Sequence, residues 1–115
     1  MKYMCIVIVD SDLAAEMSDA DWAVMGAQSQ AYDRSLMERG VFIAAEALVG
    51  REAARTVRVR QGVARMTDGP FIETKEVVAG FILIDVADAD AAMKIAEAIP
   101  MARLGAVEVR PVMQF

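Results

Sequence analysis

Two stretches of this chain are apolar on both alternations of a strand. Tyr3 to Val9 sets Met4, Ile6 and Ile8 against Cys5, Val7 and Val9, and Val77 to Val86 sets Phe81 and Leu83 against Ile82 and Ile84. Runs of that kind read as strands covered on both faces rather than as half-solvated strands. Whatever fold the chain adopts must supply cover for both sides of one sheet.

The remaining pattern supplies cover for one side. Ser18 followed by Asp19, Ala20 and Asp21 reads as a helix N-terminus with acidic residues in its first turn. Trp22, Met25, Tyr32 and Leu36 recur at helical spacing, with Gln28, Gln30, Asp33 and Arg34 on the surface, and Gly40 suits a left-handed terminator, so a helix is expected over roughly 19–39. Asp10 to Glu16 reads as a polar connection. A second strand is expected within Val41 to Val49, although Ala44, Ala45 and Ala47 weaken it. Arg55 to Arg60 alternates, with Val57 and Val59 on one face and Arg58 and Arg60 on the other; Gln61-Gly62 is a turn and Val63 to Met66 the returning strand. Thr67 to Glu76 reads as a loop. Asp88 caps a second helix over 89–98, Pro100 stops it, and Ala106 to Val112 closes the chain with Val107 and Val109 opposed to Glu108 and Arg110.

The order strand–helix–strand–hairpin–strand–helix–strand gives an α+β class, a ferredoxin-like split βαβ with an inserted β-hairpin in one domain over 1–115. An α+β order without a strand at Ala44 is the alternative. Two helices cover one sheet face, and monomers rarely leave a large apolar face in water. Burying ~500 Å² of it is worth about 12 kcal/mol before association costs. A homodimer with sheets packed face to face is therefore expected; the competing arrangement covers that face with the chain's own Arg51 to Glu76 segment.

Composition removes several function classes. There is no histidine, which excludes Ser–His–Asp and Cys–His machinery and the commonest metal ligand. One cysteine, Cys5, allows neither an internal disulfide nor a thiolate cluster, and no cofactor or metal is called for. As a core-strand residue, Cys5 reads as an inert thiol. Net charge is −5, which disfavours nucleic acid, and no aromatic platform is interleaved with the arginines. The apolar run Met4 to Val9 is too short to span a membrane and lacks a signal-peptide cleavage site, so a cytoplasmic location is expected.

The densest chemistry lies in Asp68-Gly69-Pro70-Phe71-Ile72-Glu73-Thr74-Lys75-Glu76. Asp, Gly and Pro in succession make a rigid turn. Behind it stand two carboxylates, a hydroxyl and an ammonium within four residues. A plain reading makes Asp68 the cap of its own turn, with Glu73, Lys75 and Glu76 solvated. A second feature is arginine clustering: five of nine arginines, Arg51, Arg55, Arg58, Arg60 and Arg65, fall within fifteen residues. Guanidinium forks on one strand face, with Arg110 on a neighbouring strand, suit a carboxylate or phosphate. Pairing of these arginines with Glu73, Glu76 and Glu108 is the plain alternative.

The nonapeptide DGPFIETKE resembles the DGPFAETKE signature of the YCII-related family of small bacterial proteins, differing at Ile72. The likeness extends to the opening Met-Lys-Tyr-Met, to Thr56-Val57-Arg58, to Gly80-Phe81 and to Glu108-Val109-Arg110-Pro111. It implies a ferredoxin-like fold pairing as a dimeric α/β barrel. It also implies members encoded beside, or fused to, extracytoplasmic-function sigma factors, and distant lyase-like relatives with a His–Asp dyad. The dyad has no counterpart here. Two functions are therefore expected to compete. One is a polar pocket beside the loop that binds or acts on a small acidic metabolite. Asp68 or Glu73 is its general base, Lys75 and Arg58 stabilise an enolate or carboxylate, and Arg60, Thr74 and Arg110 bind ligand. The other is a non-catalytic module for a sigma-factor-linked regulatory partner.

Overall fold

A computed structural model describes residues 1–71 and 73–115; the substitution that distinguishes the loop, Ile72, lies outside the described residues. Among the described residues, six strands, β1 (Lys2–Asp10), β2 (Phe42–Ala47), β3 (Arg55–Arg60), β4 (Val63–Asp68), β5 (Glu76–Asp85) and β6 (Gly105–Pro111), accompany three α-helices, α1 (Ser11–Ala15), α2 (Asp19–Glu38) and α3 (Ala89–Glu97). The main sheet is antiparallel in the order β2-β5-β1-β6, with the doubly apolar β5 and β1 at its centre, and β3 pairs with β4 in a separate ribbon. This is the expected mixed α+β arrangement, with the Ala44 region paired as a strand.

The helices lie on one face. Cys5, Ile84, Ile95 and Leu36 are fully buried there, joined by Tyr3, Val7, Val9, Met25 and Ile82. Residues at every second position of β1 and β5 face the other way. Met4, Ile6 and Ile8 stand beside Leu83, Phe81 and Val78 in register, and the edge strand β6 adds Ala106, Glu108 and Arg110. The central apolar residues of this second face are half-buried by their sheet neighbours.

Both helix starts follow the expected capping chemistry. The Ser18 N–H donates to Asp21 Oδ2 at 2.9 Å and the Asp21 N–H donates to Ser18 Oγ at 3.0 Å. These bonds, the one from the Ser18 amide foremost, hold the Asp21 carboxyl below the usual carboxylate range. Asp88 Oδ1 accepts from the Ala91 N–H at 2.9 Å. Gly40 takes φ 74° after α2.

Three local expectations are corrected. The polar connection over Asp10 to Glu16 contains α1, because Asp10 Oδ1 accepts the N–H groups of Asp12 and Leu13 and so caps a short helix. Pro100 does not merely end α3; it opens a 3-10 helix, Pro100–Leu104, where its missing N–H is no loss. Thr67 and Asp68 belong to β4 rather than to the loop, since they pair with Thr56 and Arg55. No helix among the described residues is long and apolar enough to cross a membrane.

Candidate functional site

The helix-side face of the sheet does not close completely over its whole length. Toward the end carrying Asp10, Ala47 and Val77, a cavity of about 690 Å³ opens between α2 and the strands. Val7, Val9, Ala45 and Ile82 form its floor, α2 contributes Trp22, Met25, Ser29 and Asp33, and Leu48 to Glu52 form its rim. Its walls are mainly apolar, as small-molecule sites usually are.

The polar groups within it arise from the spacing of α2. Met25, Ser29, Asp33 and Leu36 fall on the inward stripe, so a hydroxyl and a carboxyl take places where the pattern elsewhere demands apolar residues. Asp33, expected on the surface, is half-buried on the cavity wall. Burial raises the affinity of its carboxyl for a proton. The Ser29 Oγ is buried beyond the reach of solvent and has no hydrogen-bond partner among the described residues. The Tyr32 hydroxyl is occupied: it donates to the Ile95 carbonyl at 2.7 Å and ties α2 to α3. On the rim, the Arg51 guanidinium donates to the Thr74 carbonyl. Three carboxyls, Asp33, Glu46 and Glu52, line the cavity against that one guanidinium among the described residues.

The Asp68–Glu76 loop borders a second space of about 460 Å³ that adjoins the first along Leu48 to Arg51 and Val77-Val78. Pro70, Phe71 and Thr74 line it. Gly69, with φ 102°, lets the chain turn, and its N–H donates to the Ala54 carbonyl at 2.7 Å while its carbonyl accepts from Thr56 Oγ1 at 2.8 Å. The loop is thereby fastened to the segment that forms the cavity rim.

The side chains expected to carry the chemistry lie elsewhere. Asp68 is exposed and 3.5 Å from the Arg55 guanidinium, the exposed kind of pair that contributes little. Glu73 is exposed. Lys75 Nζ sits 3.0 Å from Asp12 and 3.9 Å from Asp10, its carbonyl accepts from the Ser11 N–H at 2.8 Å, and the Asp12 contact, followed by the Asp10 charge, raises its pKa. Lys75 thus clamps α1 and faces neither cavity. Thr74 Oγ1 donates to the Glu76 carbonyl. Arg58 stacks on the Phe71 ring at 4.6 Å and stands opposite Arg65 across the ribbon, with Arg60 exposed beyond it. Arg110 is not on a strand next to β3: it lies on β6, 4.0 Å from Glu108, because the ribbon forms no ladder with the main sheet. Of the residues singled out in the sequence, Thr74 and Glu76 line the second space and Arg51 of the arginine cluster lines both. Cys5 is fully buried and its pKa is pushed up to about 11 by burial, which makes it an inert thiol. No three His, Cys, Asp or Glu side chains among the described residues are grouped to hold a metal.

The YCII-related domain model matches residues 1–115, the whole chain. This chain belongs to the YCII-related family. An uncharacterized protein of Rhizobium meliloti (strain 1021) is 34% identical over 113 residues, covering 96% of this chain and 91% of that protein. Among solved structures, the YCII-related chain is similar to a 5-chloro-2-hydroxyhydroquinone dehydrochlorinase (TftG) from Burkholderia phenoliruptrix, determined in complex with 2,5-dihydroxybenzoquinone. The TM-score is 0.57 at 13% identity, over 100% of this chain and 96% of the other. At that identity the likeness is one of fold.

Proposed function

We propose that this YCII-related protein binds a small, largely apolar molecule in the cavity between α2 and the sheet and acts on it by proton transfer through Asp33. The observation that carries this reading is a half-buried carboxyl with raised proton affinity, Asp33, on the otherwise mainly apolar wall of that cavity. A carboxylate whose proton affinity is raised is a stronger base when ionised. Such a site suits the acid–base chemistry of an isomerase or lyase.

The charge balance of the lining narrows the ligand. Three carboxyls against one guanidinium repel a phosphate or polycarboxylate, so the ligand is a weak acid of the phenol or enol kind, with Arg51 placed for its polar end. The 2,5-dihydroxybenzoquinone bound by the dehydrochlorinase of similar fold carries enolic hydroxyls, although these are more acidic than a phenol's. The arginine-ribbon site expected from the sequence does not enter this reading, since Arg58 and Arg60 stand outside both spaces.

The second apolar sheet face, which carries Met4, Ile6 and Phe81, is the surface on which a second copy packs to form the dimeric barrel. Burial of the single thiol in β1 suits a cytoplasmic protein.

Trp22 is the single tryptophan and lines the cavity, so it reports occupancy directly. Titration with a panel of phenols, enols and hydroxyquinones is expected to quench its emission and raise the melting temperature, with about 2.7 kcal/mol of stabilisation at one hundred times Kd. Asp33→Asn abolishes the protein-dependent exchange of carbon-bound hydrogen of the compound with deuterated solvent while leaving the quench. A panel that moves neither signal overturns the reading.

A further inference from the structure

The β3–β4 ribbon stands apart from the main sheet. Eleven of its twelve strand residues are exposed. Its two faces differ. Val57, Val59, Ala64 and Met66 share one, with Val57 57% and Met66 71% exposed, while Arg58, Arg60 and Arg65 share the other. An isolated two-stranded ribbon is marginal in water. The chain as a whole is extended, with a radius of gyration of 15.9 Å against about 13 Å for a compact chain of this size.

The charge distribution says what the arm meets. Residues 51–65 hold five arginines and one glutamate, a net +4 in a chain of −5, so everything outside them sums to −9. The acid is concentrated in turn. Residues 10–33 contain six carboxyls and no lysine or arginine. Lys75 engages Asp10 and Asp12, while Glu16 at the end of α1 and Asp19 and Asp21 in the first turn of α2 are exposed, Asp21 also accepting the Ser18 N–H. Exposed apolar residues adjoin them: Trp22 at 38% and Val24 at 57% on α2, and Val49 at 81% on the cavity rim. An apolar and basic arm and an apolar and acidic helix end are complementary surfaces of one sequence.

We infer that the arm of a second copy of this chain docks on the acidic start of α2, with Arg58, Arg60 and Arg65 against Glu16, Asp19 and Asp21, and so covers the Trp22 side of the cavity mouth. The occupant is a second copy because one chain carries both halves of the match, and reciprocal docking satisfies both in a closed two-fold pair. Six-residue strands reach about 20 Å, enough to cross the edge of a neighbouring sheet. Covering the cavity rests on the ligand reading above; the association itself does not.

The test uses the full chain with three exposed arm residues reversed, R58E/R60E/R65E, its fold checked by circular dichroism. Sedimentation across the micromolar range is expected to show a dimer for the parent and about tenfold or more weaker association for the variant, with Trp22 emission moving to the red. Adding E16R/D19R to that background restores both signals, and E16R/D19R alone loses them. A parent that stays monomeric overturns the inference, and so does failure of the rescue. A variant that remains dimeric with unchanged Trp22 emission overturns it too, and shows that the sheet faces alone make the pair. An arm that serves a foreign protein or a nucleic acid gives that same unchanged result. Ligand titration of the same variants reads the cavity separately, so failure of one proposal is not mistaken for failure of the other.

Discussion

Replacing Ser29 by alanine isolates the most unusual feature of the cavity wall. Its Oγ is buried, water cannot reach it, and no protein group among the described residues bonds it. A buried hydroxyl left in that state costs about 1–3 kcal/mol. Alanine removes the cost and is also the better helix former by roughly 0.5 kcal/mol in the interior of α2. The void created is one oxygen atom, too small to offset either gain. A net stabilisation of about 1.5–3.5 kcal/mol is expected. For a chain of 115 residues, unfolding entropy of about 2.1 cal/mol/K per residue converts each kcal/mol into roughly 4 °C. Ser29→Ala is thus expected to raise the melting temperature of the ligand-free protein by about 6–14 °C, measured by calorimetry and checked by urea denaturation with unchanged m-value. Most substitutions at buried positions lower stability, so the sign alone is informative. A neutral or destabilised variant would falsify the claim that this hydroxyl lacks a partner.

Two other perturbations test the site's electrostatics and its edge. Burial raises the pKa of Asp33, so in the window above the ordinary aspartate value the folded state holds a proton that the unfolded state has released. Stability therefore falls as pH rises from about 3.9 through the raised native value. Asp33→Asn lacks that fall, and the stability difference between variant and parent grows across the window; parallel urea-denaturation profiles against pH would refute the assignment. At Gly80, an added Cβ would stand 2.5 Å from the Glu46 carbonyl oxygen and 3.1 Å from the Ala47 Cα. Gly80→Ala must therefore push β2 away from β5, costing about 1–3 kcal/mol. Hydrogen exchange at the Ala45–Ala47 amides should rise before that at the β1–β5 pairs, and uniform exchange across the sheet would contradict this.

The fold was legible because its signals were redundant. The doubly apolar β1 and β5 had to be central, Ser18 and Asp88 carried capping chemistry, and Gly40 marked a helix end. The short α1 was hidden because a five-residue helix with no fully buried residue leaves no periodic stripe to read, and its cap at Asp10 doubles as the end of a strand. The site was legible only in part. The Asp68–Glu76 loop does border a space, but its charged side chains point to structure: Lys75 clamps α1 and Asp68 meets Arg55. Counting charges in a loop cannot say which way they face. The cavity residues had a weaker signal. Ser29 and Asp33 interrupt the inward stripe that runs from Met25 to Leu36, and a polar residue in an apolar register is the mark of a site or a defect. That signal was masked because Tyr32, next to Asp33, fits the apolar register equally well.

The bond from the Tyr32 hydroxyl to the Ile95 carbonyl has a consequence for how the cavity is held. With Arg103 also donating to the Gln28 side chain, the long helix is stapled along the flank that faces α3 and the Pro100 turn. That flank behaves as the fixed jaw of a vice. On the opposite side the stretch from Leu48 to Ala54 is tied to the motif loop by the bonds from Arg51 to the Thr74 carbonyl and from Gly69 to the Ala54 carbonyl, so a change in that loop is passed directly to the cavity wall.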